Sequence, residues 1–310
     1  MTVRKWLRPG IRNLGLAGAV LLDGALPAPA YLMHHAKLDW TVHLHGLSYS
    51  TGGIERPSSA RALIRSSDGK ELTVTTASWK PMQNRVAFEV IDRFAAEGKL
   101  TIDSAGELEG GSIVWVMAQM HSGFTVFDVD RINSYLLLTV FHKYGRATDF
   151  RFVPTREMCM NMLALESKDL IVKLNHKTTF DSSIVAKTTM FAERSMDNYR
   201  NTAELLGNTK ANATDVLNYF RRIFPIAGKK NEPNRLSRGA QLAVQALSDQ
   251  PGADIRAGTW WQAFNAVTYV IDHQIGTDDL RLVNSWYGQY RQKKEDALDL
   301  AAQMAESLSS

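Results

Sequence analysis

A chain of 310 residues can bury one large core or two moderate ones, and 45% hydrophobic with 22% charged residues is a globular composition, neither disordered nor fibrous. Thirty-six lysines and arginines against 32 aspartates and glutamates leave a net charge of +4, which permits a polyanionic partner without requiring one. The one cysteine, Cys159, excludes an intramolecular disulfide and a cysteine-cluster zinc site, and fits a reducing cytoplasm.

The N-terminal stretch carries a superficial export pattern. Arg4, Lys5, Arg8 and Arg12 precede an apolar run over 14–22, and Ala28-Pro29-Ala30 imitates a cleavage site. Asp23 and Gly24 interrupt the run, and proline is poorly processed at the middle position, so a cytoplasmic protein is expected. No apolar stretch approaches the ~20 residues that span a bilayer. Residues 27–37 predict a short helix and 39–44 a strand, with Gly52-Gly53 and Pro57 in a loop. Runs over 60–65 and 71–76 flank Ser67-Asp68-Gly69-Lys70, a strong hairpin signal. Pro81 disfavours helix just before it. Asn84 is placed to cap a helix reaching about Gly98, with Ala87, Ile91, Phe94 and Ala95 on one face.

A second hairpin is predicted from 100–108 and 113–120, turned at Gly110-Gly111. Val114, Val116 and Ala118 point one way and Trp115 and Met117 the other, so both sheet faces should be covered. A strand over 124–129 and an apolar run over 135–141 lead into the basic turn His142-Lys143-Tyr144-Gly145-Arg146. The next strand interleaves Phe150, Phe152 and Pro154 with Arg151 and Arg156; a short helix from Glu157 and a strand over 169–174 follow. Beyond 181 the pattern is helical, over 183–206, 213–224, 237–247, 258–275 and 283–308, with a polar, basic linker at 228–234. The predicted class is α+β: a mainly antiparallel twisted sheet with one packed helix over 1–180, then a helical region over 181–310 packing on it.

The sequence has no Gly-x-x-x-x-Gly-Lys-Ser/Thr loop, no dinucleotide glycine fingerprint, no nucleophile elbow and no His-Glu-x-x-His helix. A nucleotide-driven motor is therefore disfavoured and no cofactor is expected. His43 and His45 share a strand face and could hold a metal if a carboxylate or His34/His35 completed the set; an exposed strand face is the plainer reading. His121, His142 and His176 have no acid or nucleophile at motif spacing, and Cys159 reads as a small buried residue. Trp261, Asn265, Thr268 and Asp272 form a stripe on one helix, either a ligand face or a set of internal hydrogen bonds, the commoner fate of buried polar groups.

Basic clusters carry the strongest functional signal. Lys143, Arg146, Arg151 and Arg156 are candidates for phosphate contacts, and Tyr144 and Phe152 for base stacking. A second cluster comprises Arg221, Arg222, Lys229 and Lys230. Solvated turns and helix ends are the competing explanation.

Several local patterns together resemble a phage/plasmid-like family, a domain-of-unknown-function family of mobile elements. They are Leu38-Asp39-Trp40, Trp79 with Pro81-x-Gln83-Asn84, Phe88, Ala105-Gly106-x-Leu108 with Val114-Trp115, and Tyr135-Leu136-Leu137-Leu138-Thr139 with His142 and Gly145. Pro154, Arg156, Cys159 and Asn161 follow, then Gly258-Thr259-x-Trp261, Asn265-Ala266-Val267-Thr268 and Asp272-His273. The chain departs from the pattern at Lys143-Tyr144, which separate His142 from Gly145 where the family often has Asp-Gly directly after the histidine. The resemblance implies a mobile-element context. The resulting expectation is an ATP-independent protein that binds and anneals single-stranded DNA as a homo-oligomer in the host cytoplasm, with no membrane partner. The alternatives are a metal- or histidine-dependent enzyme acting on nucleic acid through His142, His176 and Asp272, or a non-enzymatic host-interaction protein using its C-terminal helices.

Overall fold

The protein is described from a computed structural model covering residues 20–21, 29–98, 100–121, 123–158, 171–174, 182–226, 235–276 and 278–309. The predicted α+β class holds: two antiparallel sheets are followed by a C-terminal helical region. The larger, seven-stranded sheet takes β1 (Val20–Leu21), β5 (Leu100–Leu108), β6 (Ile113–Met120), β8 (Asp130–Phe141), β9 (Thr148–Arg156) and β10 (Ile171–Leu174) in the order β1-β5-β6-β8-β9-β10, with β7 (Phe124–Val126) on the start of β8. The smaller sheet is β2 (Val42–Thr51), β3 (Ile54–Arg65) and β4 (Glu71–Thr76) in sequence order.

Side-chain alternation decides what each face of the large sheet meets. Val114, Val116, Ala118, Leu136, Leu138, Val140, Phe150 and Phe152 join the main core with Ala87, Phe88, Ile91 and Phe94 of α2 (Asn84–Ala96). Trp115, Met117, Tyr135, Leu137 and Val153 point the other way, into a second cluster with Leu282 and Trp286 of α7 (Asp278–Tyr287). Both faces are covered, as their apolar runs predicted. Asn84 opens α2 without capping it: its buried side chain donates to the carbonyls of Leu38 (3.0 Å) and Trp40 (3.3 Å), tying the segment after α1 (Pro29–His35) to the start of α2.

The helical region is α3 (Ser182–Asn208), α4 (Ala213–Ile223), α5 (Arg238–Asp249), α6 (Trp260–Tyr269), α7 and α8 (Gln289–Ser309). The main core runs without a break from Leu32 and the sheet into Tyr199, Tyr219, Trp260, Phe264 and Ala301, across the division expected near residue 180. Two predicted helices are subdivided. The one over 258–275 ends as a π-helical turn, Val270–Gln274, that buries Asp272 against Ser285 (3.0 Å) and Lys294 (2.9 Å). The one over 283–308 breaks at Gly288, where a Cβ would collide with Asn284.

A tight turn at Phe127-Asp128 joins β7 to β8, and both residues have positive φ (56° and 61°), a costly conformation for non-glycine residues. It seats the Phe127 ring over the Cβ-less Gly207 of α3, beside Trp261 (5.9 Å) and under the Arg256 guanidinium (4.5 Å). The smaller sheet also departs from expectation. Gly52 and Gly53 (φ 59° and 77°) form the two-residue tip of a long β2–β3 hairpin where a loop was read. Pro57 is tolerated in β3 because β4 extends only to Thr76, opposite Ala60, so its missing N–H deprives no third strand.

Candidate nucleic-acid interface

The turn between β8 and β9 is shaped by Gly145, whose φ of 80° favours glycine although the space around it is open. Lys143 is half-buried, and Tyr144 and Arg146 are exposed. Lys143 pairs with Glu109, which sits with Gly110 and Gly111 in the positive-φ turn between β5 and β6. Arg146 lies 4.6 Å over the Phe141 ring. Burial lowers the Lys143 pKa from its ordinary value, and the neighbouring Arg146 cation lowers it further. Two cations crowd one another here, and the carboxylate of Glu109 pairs with Lys143; a bound anion would relieve the repulsion.

Between this turn and α7 is a cavity of about 190 Å³ lined by Glu109, Ile113, Phe141, Lys143, Arg146, Val283, Tyr287 and Gly288. The Tyr287 hydroxyl shares a 2.5 Å hydrogen bond with Thr139, and its ring meets Phe141 edge-on at 5.2 Å. Burial first, then Asp149, raises the Tyr287 pKa, so the phenol stays neutral. On the other side of the turn Tyr144 stands edge-on to Trp79 at 6.3 Å, and its amide donates to Thr73 Oγ1 on β4 at 3.5 Å. Two cations, the exposed Tyr144 ring and the half-buried Trp79 ring thus occupy one rim.

Of the ten residues singled out in the sequence, Lys143, Tyr144 and Arg146 come together. The others do not. Arg151 faces α7, its guanidinium held by Asp149 (2.8 Å) and the Trp286 carbonyl (3.0 Å) and stacked 4.9 Å from the Tyr287 ring. Phe152 lies in the core beneath α2 and offers no face to a base. Arg156 is 1% exposed and donates to Asp130 (2.7 Å) and to the carbonyls of Pro251 (3.3 Å) and Gly252 (3.2 Å); Asp130 also accepts from Trp261 Nε1 (3.0 Å). A phosphate reaches neither Arg156 nor the buried side of Arg151. Arg221 and Arg222 end α4, where cations favour the helix dipole, and Arg221 donates to Asn218 (3.1 Å). Lys229 and Lys230 lie outside the described residues, as do Cys159 and His176.

Sequence reasoning missed Glu109, Phe141, Trp79 and Tyr287. Tyr287, which lines the cavity, is the last residue before the interruption at Gly288 of a helix predicted as continuous. Of the candidate enzymatic groups, His142 and Asp272 are enclosed. His142 is fully buried, its Nε2 donating to Asn84 Oδ1 (2.8 Å), and burial pushes its pKa down to about 4, so the ring is neutral. Asp272 is buried with Lys294, and the Trp261 to Asp272 stripe makes internal bonds. His43 bonds Thr41 (2.8 Å), and among the described residues no cluster of three or more His, Cys, Asp or Glu is placed to hold a metal. Nor, among them, is any helix long and apolar enough to cross a membrane.

A family described as a domain of unknown function, DUF932, matches residues 71–305, most of the chain. The chain belongs to the DUF932 family. The match covers β4, the turn at 142–146 and the helices that wall the cavity, so the candidate interface falls inside the DUF932 region, whereas β2 and β3 precede it. The family description assigns no activity and no phage or plasmid origin. Comparison with curated proteins and with solved structures gave no match.

Proposed function

We propose that this DUF932 protein binds single-stranded DNA along the rim of the β8–β9 turn and anneals complementary strands without ATP, serving a phage or plasmid in the host cytoplasm. The observation that carries the reading is the convergence of Lys143, Tyr144 and Arg146 on one accessible turn. Lys143 and Arg146 supply backbone neutralisation, and Tyr144 with Trp79 supplies ring faces on which bases stack whatever their sequence. The absence of a phosphate-cradling loop from the sequence is consistent with an ATP-independent process. The mobile-element context rests on the resemblance of the local motifs, and annealing in this way calls for several copies acting together.

The test is fluorescence anisotropy with an oligothymidylate at several salt concentrations, paired with an annealing assay on complementary oligonucleotides without nucleotide or metal. Tyr144→Ala should cost about 1–3 kcal/mol of binding. Unchanged affinity in Tyr144→Ala and in Lys143→Glu/Arg146→Glu would refute the assignment.

A further inference from the structure

The β2–β3 hairpin outruns its own sheet. β4 pairs β3 only from Ile64 to Ala60, whereas β2 and β3 continue together from Ser48–Pro57 to Thr51–Ile54 and close at Gly52-Gly53. This distal ribbon has exposed residues throughout. Register sorts its side chains. Tyr49 faces Arg56 and Thr51 faces Ile54, so these four share one face, while Ser48, Ser50, Glu55 and Pro57 share the other. Tyr49 is 53% exposed and Ile54 59% exposed. The acid of the ribbon, Glu55, is on the opposite face and accepts from Ser48 Oγ at 2.9 Å. One face therefore combines a ring, a cation and an apolar tip with no carboxylate.

The base of the hairpin is tied to the interface already described. Arg65 on β3 bonds Glu107 (3.3 Å), Lys70 before β4 bonds the Gly110 carbonyl (3.0 Å), and Thr73 on β4 accepts from the Tyr144 amide. A strand lying on the β8–β9 turn thus lies beside the sheet from which the ribbon extends.

We propose that the Tyr49–Arg56 face of the β2–β3 ribbon is a second contact for the same single-stranded nucleic acid, engaging nucleotides beyond those held at the turn. The inference rests on the reading of the turn as a nucleic-acid interface. The occupant follows from charge and shape: Arg56 meets phosphate, Tyr49 opposite it offers a stacking face, and this one cation stands on a side of the ribbon free of acids.

The test uses the full chain with oligothymidylates of about 10 and about 40 nucleotides, spanning short and long single-strand site sizes. Tyr49→Ala/Arg56→Glu, and separately Ile54→Ser, should weaken binding of the long oligonucleotide at least about tenfold. Binding of the short one should be unchanged, and sedimentation should match the parent protein. Lys143→Glu/Arg146→Glu should weaken both. Unchanged long-oligonucleotide affinity in the ribbon variants would overturn the proposal while leaving the turn assignment intact. A shift of those variants to a smaller species would also overturn it, by showing that the face holds another copy of the chain. Failure of the parent protein to bind either length would remove both readings.

Discussion

Lys143 and Arg146 belong to the turn before β9, and Arg151 and Arg156 to the strand itself, yet the two pairs live in different surroundings. At the edge of the cavity Lys143 pairs with the half-exposed Glu109, and Arg146 lies over the Phe141 ring. Each strand arginine has its own carboxylate, Asp149 for Arg151 and Asp130 for Arg156, both buried. In sequence the four look alike. What separates them is whether the fold supplies a desolvated acid within bonding reach, because a buried cation without one is too costly to keep. The strand arginines fasten sheet to helices; the turn cations remain for a ligand.

That contrast is most exposed to failure at Arg156. Arg156→Ala should destabilise the protein by about 3–5 kcal/mol, since it strands Asp130 in the interior, and urea unfolding measures it. A loss within ~0.5 kcal/mol would mean that the pair is not the fastening described. The next effect is on pH dependence. His142 stays neutral in the fold down to about pH 4, whereas in the unfolded chain it protonates near the ordinary value of 6.5. The unfolded state therefore binds the extra proton between these values, and stability is lost as pH falls from about 6.5 to about 4, by up to about 3 kcal/mol from this residue. His142→Gln should flatten that part of the unfolding profile, and an unchanged slope would dismiss the buried neutral ring.

Gly207→Ala presses a methyl group into the Phe127 ring and should cost about 1–3 kcal/mol in thermal or urea unfolding. The smallest stability effect belongs to the turn: Lys143→Glu/Arg146→Glu should change folding by no more than ~0.5 kcal/mol, which sharpens the distinction from Arg156→Ala.

Alternation and turn chemistry made most of the architecture readable. The two-sided burial of β6, the Asp68-Gly69 hairpin and the face of α2 follow from period-2 and period-3.6 patterns. Local patterns failed where tertiary contacts decide. Gly52-Gly53 signalled a break, but paired strands on both sides make it a hairpin tip. The segment over 283–308 reads as one helix, and nothing local marks Gly288, where a Cβ would meet Asn284, as the point of interruption. The candidate interface was half legible. Lys143, Tyr144 and Arg146 stood out as a cluster, but nothing local indicates that Arg156 meets an aspartate 26 residues earlier or that Phe152 points under α2.

The most direct test of the division between ligand-facing and fastening cations is the salt slope of single-strand binding, log Kobs against log [salt]. The account predicts a slope shallower by about 1 for each of Lys143→Glu and Arg146→Glu, and an unaltered slope for the folded fraction of Arg151→Ala. A slope that is unmoved by the turn substitutions and reduced by Arg151→Ala would contradict it.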